Sequence, residues 1–185
     1  MKFIETTIKG VLKIRPRVFK DDRGHFFESF QEVRYRQVGI DTSFVQDNVS
    51  RSSRGVLRGL HFQTENAQGK LVQVIRGNIF DVAVDIRPNS PTFGKWFGCE
   101  LNDENLEQLY IPPGCAHGFY ALGEFNDVLY KCTDVYNPTH EHTLMWNDPT
   151  VAIDWPCDEP PVLSPKDANG RTLDTLKEVL TGFVC

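Results

Sequence analysis

The chain has 185 residues, and its 20 Lys and Arg against 25 Asp and Glu give a net charge of −5 at pH 7. This length favours a single domain over residues 1–185, and the ordinary shares of hydrophobic (40%) and charged (24%) residues exclude a disordered chain, a collagen-like repeat and a coiled coil. The acidic balance argues against a nucleic-acid partner, and no apolar run approaches the ~20 residues of a membrane-spanning helix.

Composition and patterning together predict an all-β fold. Thirteen Phe accompany 14 Gly and 11 Pro, and aromatic residues favour pleated sheets while Gly and Pro favour turns. The patterns predict, in chain order, a strand over 11–18, a helix over 29–38, strands over 43–50 and 56–63, a hairpin over 71–87, strands over 95–101, 107–111, 117–121, 126–135 and 142–146, and a helix over 172–180. Short strands at intervals of roughly ten residues are typical of a sandwich or barrel. A jelly roll (double-stranded β-helix) with short peripheral helices fits this length, and its mouth would form a ligand site.

The clearest alternation predicts the hairpin over 71–87. Its second strand places Phe80 and Val82 on one face and Asp81 on the other. Its first strand ends at the turn signal Arg76-Gly77-Asn78, so we expect the two strands to pair with each other.

A polar cluster interrupts one predicted strand. Strict alternation would place Arg58, Leu60 and Phe62 on one face, with His61 and Gln63 on the other. His61 suits proton transfer, because an unperturbed imidazole has a pKa near ~6.5. Taken alone, however, a hydrogen-bonded structural histidine is the simpler interpretation.

The cysteines and the first residues predict a cytoplasmic protein. Five cysteines are widely spaced without a C-x-x-C pair, which favours reduced thiols over a disulfide framework: Cys99, Cys115, Cys132, Cys157 and Cys185. Charges at Lys2 and Glu5 come too early for the apolar region of a signal peptide.

The P-x-G-x-x-H run that ends at His117 resembles the second signature of cupin barrels, in which this histidine is often a metal ligand. The H-x-H of the first signature is absent, because Gln63 stands two residues beyond His61. A metal usually requires three or more ligands, so we expect a metal-free cupin. His140-Glu141-His142 is an alternative ligand cluster, which we predict to be a solvated loop. Asp81 is in a position to orient His117.

Three further polar positions have ordinary explanations when each is taken alone. Lys70 begins an apolar strand and is not part of a phosphate loop. Tyr130 lies in a strand pattern and could be part of the core. The segment Ser164-Pro165-Lys166-Asp167 combines opposite charges in a predicted loop, where a surface salt bridge contributes little.

Together, these segments strongly resemble the dTDP-4-dehydrorhamnose 3,5-epimerase family. The resemblance runs from about residue 10 to residue 175 in the order of the family's motifs. The motifs are Gln46-Asp47-Asn48-x-Ser50, Gly55 to Gln63, Asp81 to Arg87, Ser90 to Gly94, Ala116 to Phe119, Tyr130 to Thr133, Trp146 to Pro149, and Leu163-Ser164-x-Lys166-Asp167. The resemblance implies a jelly-roll cupin, usually homodimeric, that needs no metal or organic cofactor. It also implies conversion of dTDP-4-dehydro-6-deoxy-D-glucose to dTDP-4-dehydro-L-rhamnose, in dTDP-L-rhamnose biosynthesis.

The resemblance implies roles for four catalytic residues. His61 matches the family's base, and Asp167 matches the carboxylate that orients it. Tyr130 matches the acid that returns a proton from the opposite face of the sugar. Lys70 matches the cation beside O4, where enolate charge develops.

The resemblance also implies a binding set for the nucleotide sugar. Arg23 and Arg58 match the pyrophosphate-binding arginines, and Tyr136 matches the aromatic residue that stacks on thymine. The remaining matches are polar contacts, namely Glu28, Gln46, Asp47, Asn48, His117, Glu141 and Lys166. In this family the segment Phe26-Phe27-Glu28 often crosses to the partner of a dimer, so the site is expected to need two chains.

Other functions remain open from the sequence. Relatives with the same His, Lys and Asp invert only C3 or only C5, or use other nucleotide 4-keto sugars. A metal-dependent cupin would use His61, His117 and the His140/His142 pair. A non-catalytic sugar-binding barrel is the third alternative, but it gives no reason for the four catalytic candidates to occur together.

Overall fold

The computed structural model describes residues 1–181, which form thirteen β-strands and three short α-helices. In chain order the elements are β1 (Lys2–Glu5), β2 (Leu12–Arg15), β3 (Val18–Asp21), β4 (Gly24–Phe27), α1 (Glu32–Arg36), β5 (Gln46–Ser53), β6 (Leu57–Gln63), β7 (Lys70–Arg76), β8 (Asn78–Asp85), β9 (Trp96–Asn102), β10 (Gln108–Ile111), β11 (Cys115–Ala121), β12 (Phe125–Cys132), β13 (Glu141–Thr143), α2 (Pro165–Ala168) and α3 (Leu173–Leu180).

Two antiparallel sheets enclose the interior. The six-stranded sheet has the order β1-β2-β10-β7-β12-β5, and the five-stranded sheet has the order β13-β6-β11-β8-β9. From β5 to β12, the chain repeatedly crosses from one sheet to the other, which is the connectivity of a jelly roll. The predicted all-β jelly roll with short helices is therefore confirmed. The β3–β4 hairpin forms a separate two-stranded sheet.

The predicted hairpin over 71–87 is wrong. Both strands exist, but β7 pairs with β10 and β12 in one sheet, while β8 pairs with β11 and β9 in the other. Gly77 turns the chain between the sheets with a φ of 90°. A side chain there would collide with the Phe125 carbonyl oxygen, because a Cβ would lie only 2.2 Å away. The turn signal was real, but it marks a corner of the jelly roll.

The helices differ from prediction mainly in length. The helix predicted over 29–38 is confined to α1, whereas α3 nearly matches the prediction over 172–180. Strand and helix periodicity gave no indication of β1, of β3 and β4, or of α2, and each of these elements has only four residues. Such short elements contain too few residues to display a period.

Side-chain alternation divides the apolar residues among three clusters. Between the sheets lie Val72, Val74, Ala83 and Val128, among others. The opposite face of the five-stranded sheet is covered by the C-terminal segment, in a cluster of Leu57, Leu60, Phe62, Val82, Val84, Trp155, Leu173 and Leu176. On the outer face of the six-stranded sheet, Tyr35 of α1 packs against Ile14, Ile40, Leu71 and Tyr110. The predicted outward packing of Val82 opposite Asp81 is confirmed.

Strict alternation fails in β6, contrary to the prediction. Arg58 and His61 both line the interior cavity, whereas Leu60 packs outward. The register between β6 and β11 shifts between His117 and Phe119, opposite Gly59. Gly59 has a φ of 129°, and a Cβ on it would lie 2.5 Å from the Gly118 Cα. Only two glycines permit this close approach.

No helix among residues 1–181 has the length and apolar character required to cross a bilayer. Within residues 1–181, none of the four cysteines, Cys99, Cys115, Cys132 and Cys157, forms a disulfide bond. Cys185 lies outside the described residues.

Candidate active site

A cavity of about 450 Å³ lies between the two sheets. Side chains from both sheets, from two connecting segments and from α2 with its N-cap line it: Gln46, Asn48, Ser50, Arg58, His61, Gln68, Lys70, His117, Phe119, Tyr130, Tyr136, Glu141, Ser164, Lys166 and Asp167. Eleven of the fourteen predicted site residues are thereby brought to one place, since this list lacks only Arg23, Glu28 and Asp47.

His61 and Asp167 form a close pair in the wall of the cavity. The distance from His61 Nε2 to Asp167 Oδ1 is 2.5 Å. An ionised carboxylate only accepts hydrogen bonds, so Nε2 carries the proton and Nδ1 retains the lone pair of the neutral ring. Burial lowers the pKa of His61, with Asp167 acting in the opposite direction and the nearby lysines lowering it further. A neutral imidazole with a free ring nitrogen can act as a general base at neutral pH.

Asp167 is held from behind by the turn that begins α2. Ser164 is the N-cap of this helix: its Oγ accepts a hydrogen bond from the Asp167 backbone N–H and donates one to Oδ2, at 3.1 and 2.8 Å. Burial opposes ionisation of Asp167, but the hydrogen bonds from His61 and Ser164 keep its pKa below the usual range. The carboxylate therefore presents Oδ1 to His61 in a fixed position.

Lys70 is a buried cation on the opposite sheet. It begins β7 and is 9% exposed. Its Nζ has no hydrogen bond or salt bridge to any other group within residues 1–181. Burial lowers the pKa of Lys70. The strand-start position is thus interior, and the ammonium is available to an anionic atom in the cavity.

Tyr130 also enters from the six-stranded sheet. It is two residues from Cys132, the register partner of Lys70, so both Tyr130 and Lys70 face the cavity. Burial raises the pKa of Tyr130, which keeps the phenol protonated near neutral pH. His61 belongs to the five-stranded sheet. A proton acceptor and a proton donor therefore face the cavity from opposite walls.

A second histidine–aspartate pair lies beside the first. His117 of β11 is the register partner of His61, and its Nε2 lies 2.7 Å from Asp81 Oδ1. Asp81 is fully buried, and its Oδ2 has no hydrogen-bond partner within the described chain. The expected orientation of His117 by Asp81 is confirmed as a contact.

The prediction of a solvated loop at His140-Glu141-His142 is wrong, because residues 141–143 pair with β6 at the edge of the five-stranded sheet. Alternation there turns Glu141 into the cavity. His142 stacks on Phe62, and His140 lies 3.4 Å from Glu65. The histidines are therefore separated from the cavity that Glu141 lines.

Glu141 makes two polar contacts at the rim of the cavity. Its Oε2 accepts a hydrogen bond from the Tyr136 hydroxyl at 2.8 Å, and its Oε1 lies 2.8 Å from Lys166 Nζ. Burial opposes ionisation of Glu141, but these two contacts lower its pKa. The hydrogen bond to Glu141 raises the pKa of Tyr136. Lys166 and Asp167 do not pair with each other in a surface salt bridge, because each bonds to a cavity residue.

A separate group of polar side chains lies along β5 and the start of β6. Gln46 Nε2 donates to Asn48 Oδ1 at 3.1 Å, and the Tyr136 backbone N–H donates to Gln46 Oε1 at 2.9 Å. Arg58 is held by Ser52 and by the Arg51 carbonyl, at 2.9 and 3.1 Å. This wall offers amide groups and one exposed guanidinium to a polar, anionic ligand.

Three predicted site residues do not lie at this cavity. The Arg23 side chain is 90% exposed on the β3–β4 hairpin, where it pairs with Asp21. Glu28 lies 3.4 Å from Arg34. Asp47 points to the other face of β5, where Lys131 Nζ lies 2.9 Å away.

Four cavity residues were not singled out as site residues from the sequence, namely Ser50, Gln68, Phe119 and Ser164. Only Ser164 has a local signal. Ser164-x-x-Asp167 has the spacing of a helix-capping pair, which predicts a helix start at this point. The other three became apparent only when the strands were assembled.

Residues 1–181 contain no group of three or more His, Cys, Asp or Glu side chains arranged to hold a metal ion. His61 and His117 each bond to a carboxylate of their own, and His140 and His142 lie elsewhere. The four histidines of the metal-dependent alternative are therefore not gathered at one point.

Comparison with known proteins agrees with this architecture. The sequence profile of the dTDP-4-dehydrorhamnose 3,5-epimerase family matches residues 5–175. A Neisseria gonorrhoeae protein with the name of that enzyme is 54% identical over 172 residues, which are 93% of this chain. The chain spans about half (52%) of the length of that relative.

Solved structures extend the similarity to three dimensions. The dTDP-6-deoxy-D-glucose-3,5-epimerase of Legionella pneumophila, in complex with dTDP-4-keto-L-rhamnose, superimposes with a TM-score of 0.94 at 52% identity, covering 97% of this chain and 96% of that one. A 3′-monoepimerase of Streptomyces bikiniensis, in complex with dTDP-quinovose, has a TM-score of 0.88 at 34% identity, covering 94% of this chain and 89% of that one.

Proposed function

The chain belongs to the dTDP-4-dehydrorhamnose 3,5-epimerase family, and on this basis we propose that it inverts C3 and C5 of dTDP-4-dehydro-6-deoxy-D-glucose to form dTDP-4-dehydro-L-rhamnose. This reaction is a step towards dTDP-L-rhamnose. The observation that best supports it is the placement of His61 and Tyr130 on facing walls of one cavity. Inversion of a carbon requires removal of a proton from one face and delivery of a proton to the other.

His61 is the base in this proposal. The 4-keto group acidifies the C–H bonds at C3 and C5, because the carbanion formed on either side is delocalised onto O4. Nδ1 takes the proton, and the electron pair of the broken C–H bond moves into the enolate. Asp167, 2.5 Å from Nε2, then stabilises the imidazolium that results.

Lys70 stabilises the enolate. Its ammonium forms no direct hydrogen bond or salt bridge within residues 1–181 and is buried, and a fixed positive charge acts more strongly there than in water. Placed beside O4, it lowers the energy of the transition state more than that of the neutral ketone.

Tyr130 is the acid. Its phenol proton goes to the carbon on the face opposite to His61, and the enolate electrons form the new C–H bond. The raised pKa of Tyr130 keeps this proton in place until the enolate has formed. Solvent then restores the protonation states of Tyr130 and His61 before the second carbon reacts.

The nucleotide occupies the mouth of the cavity. Arg58 binds the pyrophosphate, Tyr136 stacks on thymine, and Gln46 and Asn48 supply hydrogen bonds. His117 and Lys166 line the same cavity and contact the sugar end of the substrate, whereas Glu141 serves the nucleotide end, where it accepts a hydrogen bond from Tyr136. A few placed cations are sufficient for a dianionic ligand, even though the protein has a net charge of −5.

Arg23 and Glu28 belong to the binding set if the protein is a homodimer in which the partner contributes the β3–β4 hairpin and the residue after it to each cavity. Asp47 lies on the outer face of β5 against Lys131, so the hairpin of a partner does not account for it. The exposed aromatic residues of this hairpin, Phe19 (51%) and Phe26 (71%), support such a contact. So do Val49 (72%) and Ile75 (54%) on the outer face of the six-stranded sheet.

Proton NMR of the protein with dTDP-4-dehydro-6-deoxy-D-glucose in D₂O tests the proposal. Deuterium is expected at both C3 and C5, with L-rhamno product. Deuterium at one position alone would instead identify a monoepimerase, the activity named for the Streptomyces relative. Substrate binding without exchange would indicate a sugar-binding barrel, and loss of exchange after EDTA would indicate a metal-dependent cupin.

A further inference from the structure

Glu141 joins two elements at the rim of the cavity through its two carboxylate oxygens, the segment of Tyr136 and helix α2. Oε2 accepts from the Tyr136 hydroxyl and Oε1 lies against Lys166 Nζ, both at 2.8 Å. The Glu141 side chain is only 14% exposed, while the Tyr136 residue is half exposed at the mouth. One shielded carboxylate thus holds two partners that are each about half exposed, the Tyr136 ring and the Lys166 ammonium.

The Lys166 end of this connection leads directly to the catalytic pair. Lys166 precedes Asp167 within the single turn of α2, and Asp167 holds His61 Nε2. Glu141 is also the register partner of Gln63 on β6, two residues from His61. Three elements therefore meet at Glu141: the edge strand β13, the helix α2, and the strand β6 that carries His61.

We infer that Glu141 is a positioning residue that couples the nucleobase-stacking ring of Tyr136 to the His61–Asp167 pair. The inference rests on the proposed function, since it assigns thymine to Tyr136 and proton abstraction to His61. Through Lys166, the carboxylate determines where α2 holds Asp167. Binding of the nucleobase fixes the Tyr136 ring. Through Glu141 and Lys166, it then also fixes the geometry of the catalytic base, His61.

Charge provides a test of this coupling. The charged and titratable groups that line the cavity with His61 are Asp167 and Lys166 from α2, Lys70 from β7, Tyr130 from β12, Glu141 from β13, His117 from β11, Arg58 from β6, and Tyr136 from the segment before β13. Lys166 lowers the pKa of His61, and the carboxylate of Glu141 partly neutralises Lys166. Removing the charge of Glu141 should lower the pKa of His61 further, whereas removing the charge of Lys166 should raise it.

The first experiment compares Glu141→Gln and Lys166→Gln in the pH dependence of kcat/KM, which reports the free enzyme. Activity requires neutral His61. The acid limb should therefore move to lower pH in Glu141→Gln and to higher pH in Lys166→Gln, by about half a unit or more in each case. Glu104→Gln, an exposed carboxylate in the turn after β9, should leave the limb at its wild-type position. Shifts of the same sign, or no shift in Glu141→Gln, would overturn the inference.

The second experiment uses Tyr136→Phe, which keeps the stacking ring and removes only the donor to Glu141. We expect kcat to fall about threefold or more with little change in KM, because a hydrogen bond to a charged group is lost while stacking remains. A raised KM with unchanged kcat would mean that Tyr136 serves nucleotide binding alone, which contradicts coupling. If the wild type itself exchanges neither C3 nor C5 protons, the proposed function fails instead.

Discussion

His61 Nε2 and Asp167 Oδ1 lie 2.5 Å apart although 106 residues separate them in the sequence. The bond joins the five-stranded sheet to the short helix α2, which the Ser164 side chain caps. Because Asp167 occupies Nε2, only Nδ1 remains as a proton acceptor, and the orientation of the ring is decided before any substrate enters. The predictions that follow depend on this arrangement and on the residues that face it.

Replacing the base should abolish exchange. In His61→Asn, we expect exchange of the C3 and C5 protons into D₂O to fall about 10²- to 10⁴-fold, because no other group takes the proton. Titration calorimetry should show that dTDP still binds, since the nucleotide contacts are elsewhere. His140→Asn, a histidine that lies against Glu65 outside the cavity, serves as control. Exchange at the wild-type rate in His61→Asn would rule out this base.

Removing the carboxylate behind the base should lower the rate and move the pH profile. Asp167 raises the pKa of His61, so Asp167→Asn should shift the acid limb of kcat/KM to lower pH. Above that limb, the rate should fall about ten- to hundredfold, as expected if Nδ1 loses one to two pKa units of basicity. A stopped-flow or NMR pH series measures both effects. An acid limb that moves to higher pH would contradict the assigned roles.

Tyr130→Phe separates abstraction from inversion. The ring volume is kept and the phenol proton is lost, so exchange from the His61 face should continue while inversion, particularly at C5, is impaired. Product stereochemistry by NMR, together with deuterium content, distinguishes the two steps. Tyr120→Phe, in the core outside the cavity, is the matched control. Normal L-rhamno product from Tyr130→Phe would exclude Tyr130 as the acid.

Lys70 should determine the basic limb. It acts as a cation, and burial lowers its pKa, so activity should be lost as the pH rises through that lowered value. In Lys70→Gln, kcat should fall about 10²- to 10³-fold, and the remaining basic limb should move up to the raised pKa of Tyr130. Lys177→Gln, an exposed lysine of α3, should behave as the wild type. An unchanged basic limb in Lys70→Gln would assign that limb to another group.

Mixing two inactive variants tests the partner's contribution. If Arg23 acts in the partner's cavity, a hybrid of Arg23→Ala and His61→Asn chains has one cavity with both substitutions and one with neither. Random reassociation should then restore about a quarter of the wild-type activity. Sedimentation velocity confirms that the chains exchange. No recovery after exchange would place Arg23 in the cavity of its own chain.

Strand alternation predicted much of the interior correctly. The positions of Asp81 inside and Val82 outside follow from the period of two. The regular spacing of short strands was sufficient for the jelly roll. These features are local, because each depends only on neighbouring residues.

The strand predictions that failed concern contacts between residues far apart in the sequence. β7 pairs with β10 and β12, and not with β8. This pairing depends on how the strands are divided between the two sheets, which a short stretch of sequence does not show. Arg58 joins His61 in the cavity because β6 shifts its register at Gly59, opposite a strand nearly sixty residues later.

The helix α2 was missed for a different reason. The four residues of α2 that hold Asp167 are too few to show helical periodicity.

The contact between Gly59 and Gly118 has a practical consequence for anyone who alters substrate choice. Backbone touches backbone there, with a Cβ on Gly59 falling 2.5 Å from the Gly118 Cα. Random mutagenesis of the cavity should therefore yield very few folded clones with any other residue at these two sites, whereas half-exposed positions at the mouth, such as Tyr136, should accept many. A library that fixes the glycine pair and varies the rim would concentrate its diversity where folding permits it.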